Sequence, residues 1–134
     1  MSAGNGKQIV STPGLYDSRP RGYVQCITAG DLIFVAGQVG VDAQGQVVSS
    51  EFAAQAEQAL TNVRVALEAA GATPADVTAV TYYLTDMGNL PRLGPIRQRV
   101  LPGLEATSTA LQISALARPE LLIEVTVMAV RGAG

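Results

Sequence analysis

The sequence predicts an α+β fold: a mostly antiparallel sheet interrupted by two helices. Three observations carry this. Apolar, β-branched-rich runs recur at Tyr23 to Thr28, Leu32 to Val39, Val77 to Thr85 and Leu121 to Val130. Two stretches, 51–70 and 90–101, instead repeat apolar residues at helical spacing. The helices fall between strands, giving the order β-β-β-α-β-α-β-β and a layered architecture.

Residues 1–6 read as an irregular start, and Gln8-Ile9-Val10 as a short strand. Pro13, Gly14, Asp17, Ser18 and Pro20 make 11–21 a loop, long enough to suggest function. Ala29-Gly30-Asp31 between the next two apolar runs is a hairpin signal. A second turn follows at Asp42 to Gly45, then Val47-Val48. In 51–70, Phe52, Ala56, Ala59, Leu60, Val63, Leu67 and Ala70 share one helix face. Ser49 or Ser50 is expected to cap its start and Gly71 to end it. Gln55, Gln58, Thr61, Asn62 and Glu68 should form its wet side. Met87-Gly88-Asn89 turns the chain after Val77 to Thr85. Pro91 suits the first turn of the second helix, Pro95 opposes its continuation, and Pro102-Gly103 ends it. Ser108 to Ser114 and Leu121 to Val130 complete the strands, with a turn at 115–120. No repeat or linker divides the chain, so 1–134 reads as a single domain.

Composition narrows the chemistry. Of 134 residues, 48% are hydrophobic and 15% charged, which excludes a disordered chain. There is no histidine, which removes Ser-His-Asp and Cys-His nucleophile systems and imidazole zinc sites. The one cysteine, Cys26, cannot form an intramolecular disulfide and reads as a small core residue. A pI near 5.0 and a single lysine, Lys7, argue against nucleic-acid binding. No stretch is long and apolar enough for a membrane span or a signal peptide, so the expected location is cytoplasmic.

Glu124 is the sharpest single residue. It interrupts an otherwise uncharged ten-residue strand. A carboxylate there is desolvated and raised toward general acid–base work, or it is paired or faces water. In that strand Ile123, Val125, Val127 and Ala129 alternate with Leu122, Glu124, Thr126 and Met128. Both faces need cover, and the second cover is expected to be another copy of the chain. Tyr23 could orient a ligand or fill the core. Gly37-Gln38 marks either a close backbone approach or a bulge. Arg19, Arg21, Arg92, Arg97, Arg99 and Arg118 are the anion-binding candidates. No phosphate-loop or dinucleotide fingerprint occurs.

These residues resemble the Rid family, also called YjgF or reactive intermediate deaminase. The matching pieces are YVQ at 23–25, IFVAGQV at 33–39 with Asp42 and Gly45, and the helix with Gln55, Leu60, Asn62 and Val63. AAGA at 69–72, Asp76-Val77, TYYLTDM at 81–87 and LLIEVTVMAV at 121–130 follow in order. The resemblance implies a chorismate-mutase-like fold, a homotrimer with ligand clefts between subunits, and hydrolysis of imines or enamines without metal or cofactor. It implies that Glu124 places or activates water and that Tyr23 lines the pocket.

The sequence also departs from the family. Where the deaminase type carries Pro-Ala-Arg-Ser, this chain has Ala106-Thr107-Ser108-Thr109, so Ser108 replaces the arginine that grips a substrate carboxylate. A hydroxyl cannot reproduce that bidentate fork. Ala36 replaces a serine, Ala110 a cysteine, and a pocket asparagine falls at Gly94. The expected cleft is therefore more apolar, lined by Ala36, Gly37, Gln38, Ser108, Ala110 and Leu111, with weak or no activity on 2-aminoacrylate-type imines. Arg21 and Arg118 could supply a displaced anion contact. A non-catalytic ligand-binding or regulatory homologue is the alternative, and an endoribonuclease or translation inhibitor the least favoured.

Overall fold

The computed structural model describes residues 6–134. The irregular start expected at 1–6 lies outside them except for Gly6. The strands are β1 (Lys7–Ile9), β2 (Cys26–Ala29), β3 (Leu32–Val39), β4 (Val77–Leu84), β5 (Thr107–Gln112) and β6 (Ile123–Val130), and the helices α1 (Phe52–Ala69) and α2 (Leu90–Val100). They form one six-stranded sheet in the order β1-β2-β3-β6-β4-β5. Every pairing is antiparallel except β4 with β5. That pair is parallel because α2 carries the chain back across the sheet. Strand number, order and the mostly antiparallel character match the sequence reading.

Both helices lie on one face. Phe52, Ala56, Ala59, Leu60, Val63, Ala66 and Leu67 of α1 join Ile33, Val35, Val80, Ile123, Val125, Val127 and Ala129 in one buried cluster. Leu93, Ile96 and Val100 of α2 complete it. Pro95 sits inside α2, six positions into the helix. Its missing N–H leaves only the Pro91 carbonyl without its usual donor. Cys26 is buried, as expected.

Four expectations need correction. Tyr23 does not open β2, because a short 3-10 turn at Arg19–Arg21 and Gly22 at φ 91° hold the preceding chain in the loop. Leu121 and Leu122 precede β6, and β5 stops at Gln112. Glu51, not Ser49 or Ser50, occupies the N-cap of α1, and Ser49 Oγ instead accepts from Glu51 N–H at 3.0 Å. Finally, Gln55 and Asn62 are buried on α1 rather than wet. Gln55 Nε2 donates to the Ser49 carbonyl at 2.9 Å and the Glu120 carbonyl at 2.8 Å, while its Oε1 accepts from Leu122 N–H at 2.8 Å. Asn62 Nδ2 donates to the carbonyls of Val39 and Val41 at 3.1 and 3.0 Å. These amides replace the hydrogen bonds that loop backbone loses when α1 covers it.

β3 carries an irregularity that matters for the site. Val35 pairs with Val127 and Gln38 with Val125, so β3 holds one residue more than β6 across Ala36 and Gly37. This β-bulge reverses the in–out parity of the strand. Phe34 points to the open face, and Gln38, which unbroken alternation would also turn outward, is buried at 3% exposure. The open face carries Leu32, Phe34, Leu111 and Met128, all exposed by 40% or more.

Candidate active site

Glu124 lies on the open side of β6, paired with Val39 on one flank and Tyr83 on the other. The bulge brings its carboxylate against Gly37. A Cβ on residue 37 would stand 2.1 Å from Glu124 Oε2, so only glycine leaves room for this side chain. The bulge reading of Gly37 holds, and what approaches it closely is the Glu124 side chain rather than another backbone.

Among the described residues no hydrogen bond or ion pair holds the Glu124 carboxylate. It is half-buried, and that burial pushes its pKa above the ordinary carboxylate range. It faces a cavity of about 130 Å³ that Tyr16, Arg21, Tyr23, Gly37, Arg118 and Leu121 also border. A water molecule occupies roughly 30 Å³ of liquid, so this space admits a few waters or a small ligand.

The loop before β2 supplies the opposite wall. Ser18 Oγ donates to the Tyr23 carbonyl at 2.8 Å, and the Tyr23 hydroxyl pairs with that of Tyr16. Burial first, then Tyr16, and least of all the nearby charge of Glu124, hold the Tyr23 phenol protonated; Arg21 opposes them. A buried amide relay anchors this loop to the bulge. Gln38 Nε2 donates to Gln25 Oε1 at 2.8 Å and to the Ala36 carbonyl at 3.0 Å, and Gln25 Nε2 donates to the Tyr16 carbonyl at 3.2 Å. Gln38 borders the cavity, but its side-chain donor is committed inward. On the third side, Arg118 Nη1 donates to the Gly45 carbonyl at 2.7 Å. This ties the turn before β6 to the turn at 42–45.

The fold thus gathers Glu124, Tyr23, Gly37, Gln38, Arg21 and Arg118 around one cavity. It does not gather all the predicted residues. Ala36 lies in the bulge beside the cavity without lining it. Ser108, Ala110 and Leu111 lie on the edge strand β5, separated from β6 by β4. Leu111 faces the open side and is 46% exposed. Gly94, on α2, has open space around it. Sequence reasoning missed Tyr16, although it lies in the long loop that had been marked as functional. A larger hollow of about 520 Å³ between β1 and that loop is bordered by one anion-binding candidate, Arg19, which is paired with Asp17. Among the described residues no group of acids and thiols is placed to hold a metal ion, and no helix is long and apolar enough to cross a membrane.

Comparison with known proteins agrees with this architecture. The chain is 33% identical over 108 residues to a RutC family protein of Pyrococcus horikoshii, covering 80% of this chain and 85% of that one. It is 30% identical over 111 residues to the 2-iminobutanoate/2-iminopropanoate deaminase of Salmonella typhimurium, covering 81% and 87%. Among solved structures, RidA from an Antarctic Psychrobacter superposes with a TM-score of 0.83 at 26% identity, covering 92% of this chain and 98% of that one. The model for the family described as Endoribonuclease L-PSP matches residues 17–131. That span takes in both helices and every strand except β1, and the chain therefore belongs to this family, the one also called YjgF or Rid.

Proposed function

We propose that the protein hydrolyses an imine, enamine or similar reactive metabolite in the cytoplasm, with Glu124 activating the water and without a metal or cofactor. The observation that carries this is an unpartnered, half-buried carboxylate beside a small cavity, its ionised form disfavoured by burial. An acid raised in this way is better matched to taking and returning a proton than an ordinary carboxylate. The deaminase name of a relative covering most of the chain supports the substrate class.

The reaction asks little of the protein. Water adds to the C=N carbon as Glu124 takes its proton, and the nitrogen is protonated in turn. The tetrahedral carbinolamine then collapses to a carbonyl and releases ammonia. Tyr23, kept neutral, can donate a hydrogen bond to the substrate or the water. Held geometry and proton transfer are each worth orders of magnitude in rate.

The working unit in this reading is a homotrimer whose clefts lie between subunits. Its support is the open sheet face, where Leu32, Phe34, Leu111 and Met128 are left in water by a single chain. A neighbouring copy would cover them and could bring Ser108 and Ala110 of its β5 to the cavity. An RNA-cleaving role has less support: the acidic chain offers neither histidine nor a basic surface.

The test is ammonia release from imines generated in situ by an amino-acid-consuming enzyme. Glu124→Gln should lower kcat by about 100-fold or more without loss of folding. Turnover unchanged in this variant would sink the hydrolase reading. Ligand binding with no turnover in either protein would favour the ligand-binding alternative.

A further inference from the structure

Three arginines have acid partners: Arg19 with Asp17, Arg99 with Glu57 and Arg131 with Asp31. Arg64 and Arg92 are engaged by the Val100 carbonyl and Asn89 Oδ1. Arg97 lies beside Tyr82. Arg21 and Arg118 are set apart from these by their place. Neither has an acid partner among the described residues, and both border the cavity of Glu124. Arg118 is half-buried and aimed by its bond to the Gly45 carbonyl, which leaves the rest of its fork free. Two uncompensated guanidinium groups bordering one small cavity make a receptor for an anion.

We infer that Arg118, assisted by Arg21, binds the carboxylate of a small ligand whose acid group is separated by a spacer from the carbon that faces Glu124. This rests on the proposed function for the role of Glu124, and it replaces the absent β5 arginine with an anion contact on a different wall. The need for a spacer follows from the layout. The Glu124 carboxylate lies against Gly37, whereas Arg118 is tied to the Gly45 carbonyl, and among the described residues neither guanidinium forms an ion pair with Glu124. A ligand carboxylate seated on Arg118 is thus held away from the catalytic carboxyl rather than against it. The volume of about 130 Å³ limits the ligand to a small acid.

The probe is levulinate, a stable keto acid with two methylenes between carbonyl and carboxylate, titrated by calorimetry into the full-length protein. Pyruvate, with no spacer, and uncharged butanone serve as comparisons. Levulinate should bind more tightly than pyruvate. Arg118→Gln and Arg21→Gln should each weaken levulinate by about tenfold or more, with butanone unaffected. Thermal melts check folding. Should Arg118→Gln melt early, Arg21→Gln decides, since Arg21 is exposed and its removal breaks no ion pair. No levulinate binding by the wild type, binding by Arg21→Gln as tight as wild type, or tighter binding of pyruvate overturns the inference. Failure of the hydrolase reading is seen separately, as turnover retained in Glu124→Gln, and leaves the levulinate result standing.

Discussion

Glu124 reaches the cavity because residue 37 has no side chain. In Gly37→Ala the added methyl meets the flexible end of Glu124 and not backbone, so the fold should lose no more than about 1 kcal/mol while the carboxylate is displaced. A displacement on this scale should lower kcat by about 10- to 100-fold, with a smaller change in KM. Steady-state kinetics beside a urea titration separates the two effects. The raised pKa of Glu124 has a second consequence. A carboxyl that binds its proton more tightly when folded opposes folding once it ionises. Stability should therefore fall as pH rises from the ordinary carboxylate range through the folded value. Glu124→Gln should melt higher than wild type at neutral pH, and the difference should vanish below about pH 4, where the acid is protonated in both states. Equal melting temperatures throughout would contradict the burial. In the rate, the sign is opposite. The ionised form activates water, so kcat/KM should drop as pH falls through a single limb lying above the usual glutamate range.

Among the elements, α1 shows where periodicity stops being informative. Its apolar stripe was legible, and every one of Phe52, Ala56, Ala59, Leu60, Val63 and Leu67 is buried. Gln55 and Asn62 were misread as solvent-facing because spacing distinguishes polar from apolar and not wet from dry. Their role depends on loops distant in sequence, at 39–49 and 120–122, whose backbone they satisfy. Gln55→Ala leaves two carbonyls and an N–H without partners, and should cost about 2–4 kcal/mol by urea denaturation. Gly40 packs against the same helix, where a Cβ would lie 2.7 Å from Gln55 Cα. Here the obstacle is backbone, so Gly40→Ala should cost about 1–3 kcal/mol, more than the alanine at position 37. In β6, by contrast, strict alternation made Glu124 visible as an anomaly, and the structure keeps that alternation. The bulge in β3 could be named from Gly37 only as one of two options, since its pairing with β6 lies some ninety residues away in sequence.

For the molecule as a whole, the sequence showed that β6 is apolar on both sides, and the structure leaves one of those sides in water. Leu32, Phe34 and Met128 lie together there, with Phe34 directly opposite Met128 across β3 and β6. If copies of the chain cover this face, wild-type protein should sediment as a trimer at micromolar concentration. Phe34→Glu should yield monomers and remove most of the activity while the circular dichroism stays unchanged. A monomeric wild type would refute the assembly. The gathering of the site in one chain was only partly legible. Glu124 and Tyr23 carried it through their place in quoted motifs; Arg21 and Arg118 were named together for a displaced anion contact, and the loop and turn that fold back upon the sheet bring both to the cavity. Ser108 and Ala110, placed by their match to the deaminase segment, stand on β5, because linear order does not say which strands adjoin in the sheet.

The extra residue in β3 means that this protein counts backbone steps as well as reading side chains. Excising Gly37 would give the strand an uninterrupted ladder and look like an improvement to any scheme that rewards regular pairing. It would leave Gln38 opposite Val125 and facing the interior, but would set Ala36 on the outer face beside Glu124, where its methyl shuts the gap that admits the acid. A deletion at this one point is thus harmless to the hydrophobic pattern and ruinous to the chemistry.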